Sequence, residues 1–150
     1  MKKRGFTLFV SIVVTGTLLL ITTAVINVAV KEAFITGAAR ESQYAFYAAD
    51  TGIECALYWD VKNITGFSAF STTTGATIFC NNNEDNPSNT WTVGGSDESS
   101  FEMTFLPDPY CAKVSIFKLT DGSTRIESQG YNTCDENNPR RVERAVRVTY

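Results

Sequence analysis

The side chains that could do chemistry are few. The 150-residue chain contains no histidine, so the usual general base and the commonest zinc ligand are both missing. Four cysteines remain, Cys55, Cys80, Cys111 and Cys134. Their spacing includes no Cys-x-x-Cys and no histidine can complete a mixed site, so a metal or redox centre is the lesser reading. The even count suits disulfides, for which three pairings are possible and spacing alone does not choose. The expected pairing is Cys55 with Cys80 and Cys111 with Cys134. The first would tie the end of a long helix to the loop after it, and the second would bridge two neighbouring strands. Each closes a loop of about 25 residues, worth about 3 kcal/mol in the chain-entropy view. No pair of carboxylates stands out as an acid and base of the glycosidase kind. No catalytic residue is assigned, and the chain reads as a non-enzyme.

Two polar clusters could bind rather than react. The run Asn81-Asn82-Asn83-Glu84-Asp85-Asn86 offers oxygen donors, and Asn81, Asn83 and Asp85 could meet a calcium ion weakly. It lacks the spacing of a defined calcium loop, so a solvated Asn/Asp turn closed by Pro87, with no cofactor, is the expectation. Near the end, Arg140, Arg141, Arg144 and Arg147 could contact DNA. Glu143 lies among them, however, and Val142, Val146, Val148 and Tyr150 alternate as one face of a strand. Most of these arginines then occupy its wet face. The formal charge of −3 becomes −6 without Lys2, Lys3 and Arg4, which gives the rest of the chain no general attraction to nucleic acid.

The elements that position these groups begin with an apolar run. Phe6 to Val30 is 25 residues without a charge, enough to cross a hydrocarbon core of roughly 30 Å with some tilt. A cleaved secretory signal has an apolar stretch about half as long. The basic residues Lys2, Lys3 and Arg4 precede the run, and the neutral pair Lys31 and Glu32 follows it, which predicts a cytoplasmic N-terminus and an external C-terminal part. Disulfides persist in that outer compartment. Residues 6 to 60 contain no proline, so one helix of roughly 80 Å is expected to continue out of the membrane. Within its outer half, Phe46, Ala49, Ile53, Ala56 and Leu57 recur at three- and four-residue spacing and are expected to form the face that packs on a domain. Thr7, Ser11, Thr15, Thr22 and Asn27 either contact neighbouring helices or bond back to their own helix.

Lys3-Arg4-Gly5-Phe6-Thr7-Leu8 resembles the type IV prepilin motif, in which a basic leader ends in glycine before phenylalanine and an apolar helix. The segment from Ser42 to Glu54, with Ala48-Ala49-Asp50-Thr51-Gly52 at its centre, is similar to PilX-like minor pilins and to the large tip pseudopilins of type II secretion. The two matches cover about the first 60 residues. The resemblance implies cleavage after Gly5 by a prepilin peptidase and methylation of the new amino terminus on Phe6. It also implies a long helix packed on an antiparallel sheet, and partners that include other pilin subunits, the assembly platform and its ATPase. Major pilins usually carry glutamate at the fifth mature position, where this chain has Val10. A carboxylate in hydrocarbon is costly unless paired, so its absence removes a docking partner as well as a penalty. Subunits of the resembled family that lack it tend to be minor or tip components, the role the resemblance implies.

The head divides into an irregular connecting region, residues 61–100, and an antiparallel sheet over 101–150. Strands are expected at 101–106, 111–119, 124–131 and 141–150. Ala112, Val114 and Ile116 alternate with Lys113 and Ser115, so the even-numbered face should point inward and share it with Ile126. A two-residue turn at Asp121-Gly122 would set Ile116 opposite Glu127, which predicts a three-residue loop or a glycine bulge. The fold class is α+β. The leading function is a minor pilus subunit. A pseudopilin, a pilus-borne adhesin or DNA-binding module whose loop carries Trp91, and a plain membrane-anchored external domain are the alternatives.

Overall fold

The computed structural model describes residues 4–62 and 66–150. Two compact units follow one another, the first ending at Ala39 and the second spanning Arg40–Tyr150. Helix α1, Arg4–Leu57, supplies the first unit and the opening of the second. In the first unit its Val, Ile and Thr side chains are β-branched and poor helix formers in water. In an apolar medium the helix satisfies every backbone group internally, and that requirement outweighs side-chain preference. The helix from Phe6 onward is long and apolar enough to span a membrane.

The second unit is α+β, as expected. Strands β1 (Gly75–Phe79) and β2 (Thr90–Gly94) form a hairpin, while β3 (Glu98–Thr104), β4 (Cys111–Lys118), β5 (Thr124–Tyr131) and β6 (Glu143–Thr149) form an antiparallel sheet in chain order. Ile116 stands opposite Ile126, and both are fully buried beside Ala112 and Val114. Leu119 N donates to Ser123 O at 2.9 Å and Gly122 N to Leu119 O at 3.0 Å, which is the three-residue loop the alternation required. Gly122 sits at φ +87° in it, the left-handed position glycine fills without steric cost.

The interval 61–100, expected as an irregular connection, instead holds the β1–β2 hairpin and the start of β3. Ile78 and Val93 carry the hairpin into the core with Phe70, Phe101 and Ile53. Trp91 is half-buried and its ring centroid lies 4.8 Å from that of Phe101. It packs the core rather than offering a binding surface.

The helix face that meets the sheet holds Ala49, Ile53 and Ala56 as expected, with Leu57 against the core, and departs from expectation at Phe46. Phe46 is 47% exposed, whereas Ala45, Ala48, Ala49, Ile53 and Ala56 are buried. Side-chain size decides this, because the helix backbone approaches β5 directly. A Cβ on Gly130 would collide with the Ala45 carbonyl oxygen and the Ala49 nitrogen, and one on Gly52 would meet Ser128 Oγ and come within 2.8 Å of Val114 Cγ2. Gly130 on β5, facing Ala45 and Ala49, and Gly52 on the helix, facing Ser128 and Val114, thus create the room for the contact.

After Leu57 the helix passes into a π-helical turn, Tyr58–Lys62. Trp59 Nε1 donates to Phe79 O at 3.0 Å and Ala69 N donates to Trp59 O at 3.0 Å, which fastens this end to the chain that follows. Asp60 in the same turn lies under β4. Lys118 Nζ reaches its two carboxylate oxygens at 2.7 and 2.9 Å and Thr124 Oγ1 at 2.8 Å. The hydroxyls of Ser68 and Tyr150 also donate to the Asp60 carboxylate.

Candidate assembly segment and head surface

The leader residues Lys2 and Lys3 lie outside the described residues. Arg4 and Gly5 are helical in backbone, and Phe6, just after them, is 73% exposed. From Phe6 to Ile35 the apolar side chains turn outward around the helix, Leu8, Phe9, Leu20 and Phe34 among them. Such a surface is stable only in lipid or against other apolar helices. The polar residues within it are largely provided for. Ser11 donates to Leu8 O at 2.8 Å, Thr15 to Ser11 O at 2.7 Å and Thr22 to Leu18 O at 2.8 Å. Of the two roles open to these hydroxyls, the structure shows the bond back to their own helix.

In the head, Cys55 and Cys80 are joined as expected, with Cα atoms 6.1 Å apart. This links the last turn of α1 to the residue after β1. Cys111 and Cys134 are free thiols, a departure from the expected second bond. Burial raises the pKa of both, so both stay protonated near neutral pH.

The Asn-rich run is exposed from Asn81 to Asp85, as expected of a solvated turn, but its end turns inward. Asn86 and Asn89 are buried at 0% and 1% exposure. Asn86 Oδ1 accepts from Leu106 N at 2.8 Å and Thr104 Oγ1 at 3.1 Å, and its Nδ2 donates to Leu106 O at 2.8 Å. Asn89 Nδ2 donates to Thr104 O at 2.8 Å while its Oδ1 accepts from Thr104 N at 3.1 Å. The two amides therefore pair with the end of β3 much as a strand would. Of the three oxygens considered for calcium, Asn83 Oδ1 already accepts from Asp85 N, Asn86 N and Asn86 Nδ2. Asn81 adopts φ +48° and its carbonyl accepts from Asn89 Nδ2 at 3.3 Å.

Three of the four arginines are engaged separately within the head. Arg147 pairs with Glu127 at 3.0 Å, and Arg141 lies over the Tyr131 ring at 3.8 Å. Arg144 reaches back to Ser42 Oγ at 2.8 Å. A cleft of about 490 Å³ opens beside the Asp60 cluster, lined by Phe67, Ser71, Thr74, Lys118 and Ser123 among others. Phe67, an aromatic of the connecting region expected to anchor the core, is instead 81% exposed.

Residues 4–54, about a third of the chain, match the family model described as PilX N-terminal. The match spans both segments that carried the resemblance, from Arg4-Gly5-Phe6 to Gly52-Ile53-Glu54, and agrees with a PilX-like minor pilin. No curated protein and no solved structure matches.

Proposed function

We propose, from an N-terminal region of the kind found in type IV pilin minor subunits, that this chain is a minor and tip-proximal subunit of a type IV pilus or related filament. The observation that carries the reading is the exposed apolar helix from Phe6 to Ile35 directly after Arg4-Gly5, inside the stretch that matches PilX N-terminal. The helix waits in the membrane with Lys2, Lys3 and Arg4 on the cytoplasmic side. A prepilin peptidase cuts after Gly5 and methylates Phe6. An assembly platform driven by its ATPase then draws the helix out of lipid and into a bundle of like helices, while the second unit faces outward. Val10 leaves no carboxylate to pair with a neighbouring amino terminus, which favours a subunit with one helical neighbour fewer. No residue performs chemistry in this scheme, since Gly5 and Phe6 are substrates.

The test is N-terminal sequencing and intact mass of the protein from its native membrane, with Gly5→Val as control. A chain that begins at methylated Phe6, and an uncut Gly5→Val variant, is the expected result. A wild-type chain still beginning at Met1, in cells that mature a known prepilin, removes the reading. Recovery in sheared filaments rather than only in membranes separates a pilus component from a secretion pseudopilin.

A further inference from the structure

We propose that the groove where the end of α1 meets the end of β1 binds a small quaternary ammonium cation of the choline type, held by the rings of Tyr58, Trp59 and Phe79 and by the carboxylate of Glu54. The inference concerns the second unit alone and does not rest on the filament reading.

The walls are aromatic. Tyr58 and Trp59 open the π-helical turn, Phe79 closes β1, and all three line a groove of about 510 Å³. The Tyr58 and Trp59 ring centroids are 5.5 Å apart at an interplanar angle of 88°, and those of Trp59 and Phe79 are 5.2 Å apart at 71°. Rings set nearly at right angles form corners walled by π faces, and those faces carry the negative potential that attracts an alkylated ammonium group. The arrangement is fixed before any ligand arrives. Trp59 Nε1 donates to Phe79 O at 3.0 Å, and the Cys55–Cys80 bond joins the two elements along the same groove. Tyr58 and Phe79 are nevertheless 44% and 56% exposed and stand outside the core, so their faces remain open to a ligand.

The charge in the groove selects the ligand. Glu54 lies one helical turn before Tyr58 and lines the same groove. It is exposed and has no hydrogen-bond or ion-pair partner among the described residues, so its carboxylate is available to a cation. Among the described residues no lysine or arginine lines the groove. A phosphate or carboxylate on the ligand would therefore meet Glu54 with nothing to offset the repulsion, which disfavours phosphocholine and betaine. A primary ammonium would lose hydrogen bonds to water that ring faces cannot replace, whereas a quaternary one has no N–H to satisfy.

The remaining polar groups suit a hydroxyl at the other end of the cation. Thr51 Oγ1 donates to Tyr47 O at 2.8 Å, so it meets a ligand as an acceptor. Asn81, on the turn after β1, is held at φ +48° with its carbonyl accepting from Asn89 Nδ2 at 3.3 Å. It lines the groove beside Phe79 and supplies a second oxygen acceptor.

The probe is choline chloride titrated into the oxidised full chain in polyoxyethylene detergent, with sodium chloride holding ionic strength constant and tryptophan fluorescence as the readout. A saturable change is expected because Trp59 walls the groove, and the sodium chloride blank should give none. The uncharged isostere of choline, with a tert-butyl group in place of trimethylammonium, is expected to bind at least about tenfold more weakly. Phosphocholine should also bind more weakly than choline. Phe79→Leu is expected to weaken choline binding by about fivefold and Glu54→Gln by about threefold. Absence of a saturable change, equal binding of the uncharged isostere, or phosphocholine binding as tightly as choline would each overturn the proposal. So would one midpoint shared by wild type and both variants, which would put the cation elsewhere. Glu54→Gln alters an exposed side chain without a partner among the described residues, so it remains decisive if Phe79→Leu disturbs the fold.

Discussion

Asp60 and Lys118, 58 residues apart in sequence, meet at 2.7 Å with the Asp60 side chain only 3% exposed. Burial alone would raise the pKa of this carboxyl. The bonds from Lys118, Ser68 and Tyr150 outweigh that effect and hold it below the ordinary carboxylate range. A depressed pKa in the folded state contributes stability above the unfolded pKa, about 3.9, and loses it as pH falls through the lower folded value. Melting temperature is therefore expected to fall below about pH 4 in wild type, and to fall less steeply in Asp60→Asn. At pH 7, Asp60→Asn should cost about 2 kcal/mol, less than for a fully buried pair because Lys118 retains some solvent contact. Thermal unfolding followed by circular dichroism at pH 3 and pH 7 measures both.

The backbone contact at Gly130 predicts a size limit. Gly130→Ala inserts a methyl group where the Ala45 carbonyl and Ala49 nitrogen already stand, so the helix must lift from β5. A loss of about 2–4 kcal/mol is expected, at the upper end of overpacking costs because backbone cannot rotate away. Gly37→Ala, with nothing within 4 Å, is the control and should leave the melting temperature unchanged or slightly raised. Equal stability of the two variants would show that the helix does not approach the sheet this closely.

Replacing both Cys55 and Cys80 by serine opens a loop of 25 residues and should cost about 3 kcal/mol. Urea unfolding of oxidised wild type against the double variant measures it. Added reductant should bring wild type toward the variant and leave the variant where it was.

Asn89→Ala leaves the Thr104 N–H and carbonyl without the partners they have at 3.1 and 2.8 Å. With Asn89 at 1% exposure, unpaired groups of this kind cost about 1–3 kcal/mol. Amide exchange at Thr104 is expected to speed up while that at Ile126 stays unchanged.

Leu19→Arg places a charge inside the apolar stretch of α1, where an arginine costs about 3 kcal/mol on insertion scales. Membrane fractionation should show a smaller membrane-bound share than in wild type, whereas Tyr58→Arg in the head should match wild type.

How much of this was legible depends on what kind of pattern each feature leaves. Alternation marked β4 and β5, and the need to set Ile116 against Ile126 even specified the length of their loop. The apolar run and the Arg4-Gly5-Phe6 boundary were equally plain, because lipid demands a long uninterrupted signal. The β1–β2 hairpin was missed because its five-residue strands each place one side chain fully inside, Ile78 and Val93, amid Thr, Gly and Asn that read as loop. Asn86 and Asn89 resemble solvated residues by type, and their burial depends on partners at Thr104 and Leu106 that no local pattern indicates. Phe46 was assigned inward on hydrophobicity, although the face is selected by smallness. The isolated Gly130 within a strand was the available sign of close backbone approach.

The same close approach determines how a pulling force would travel through the head. Along Ala45–Ala56 the helix bears on β4 and β5, and these are the inner strands of the four, each hydrogen-bonded on both edges. Tension entering through the helix would thus be shared at once between rows of parallel-acting bonds instead of unzipping an edge strand one bond at a time. The Cys55–Cys80 link, at the far end of that contact, sets a covalent stop to sliding.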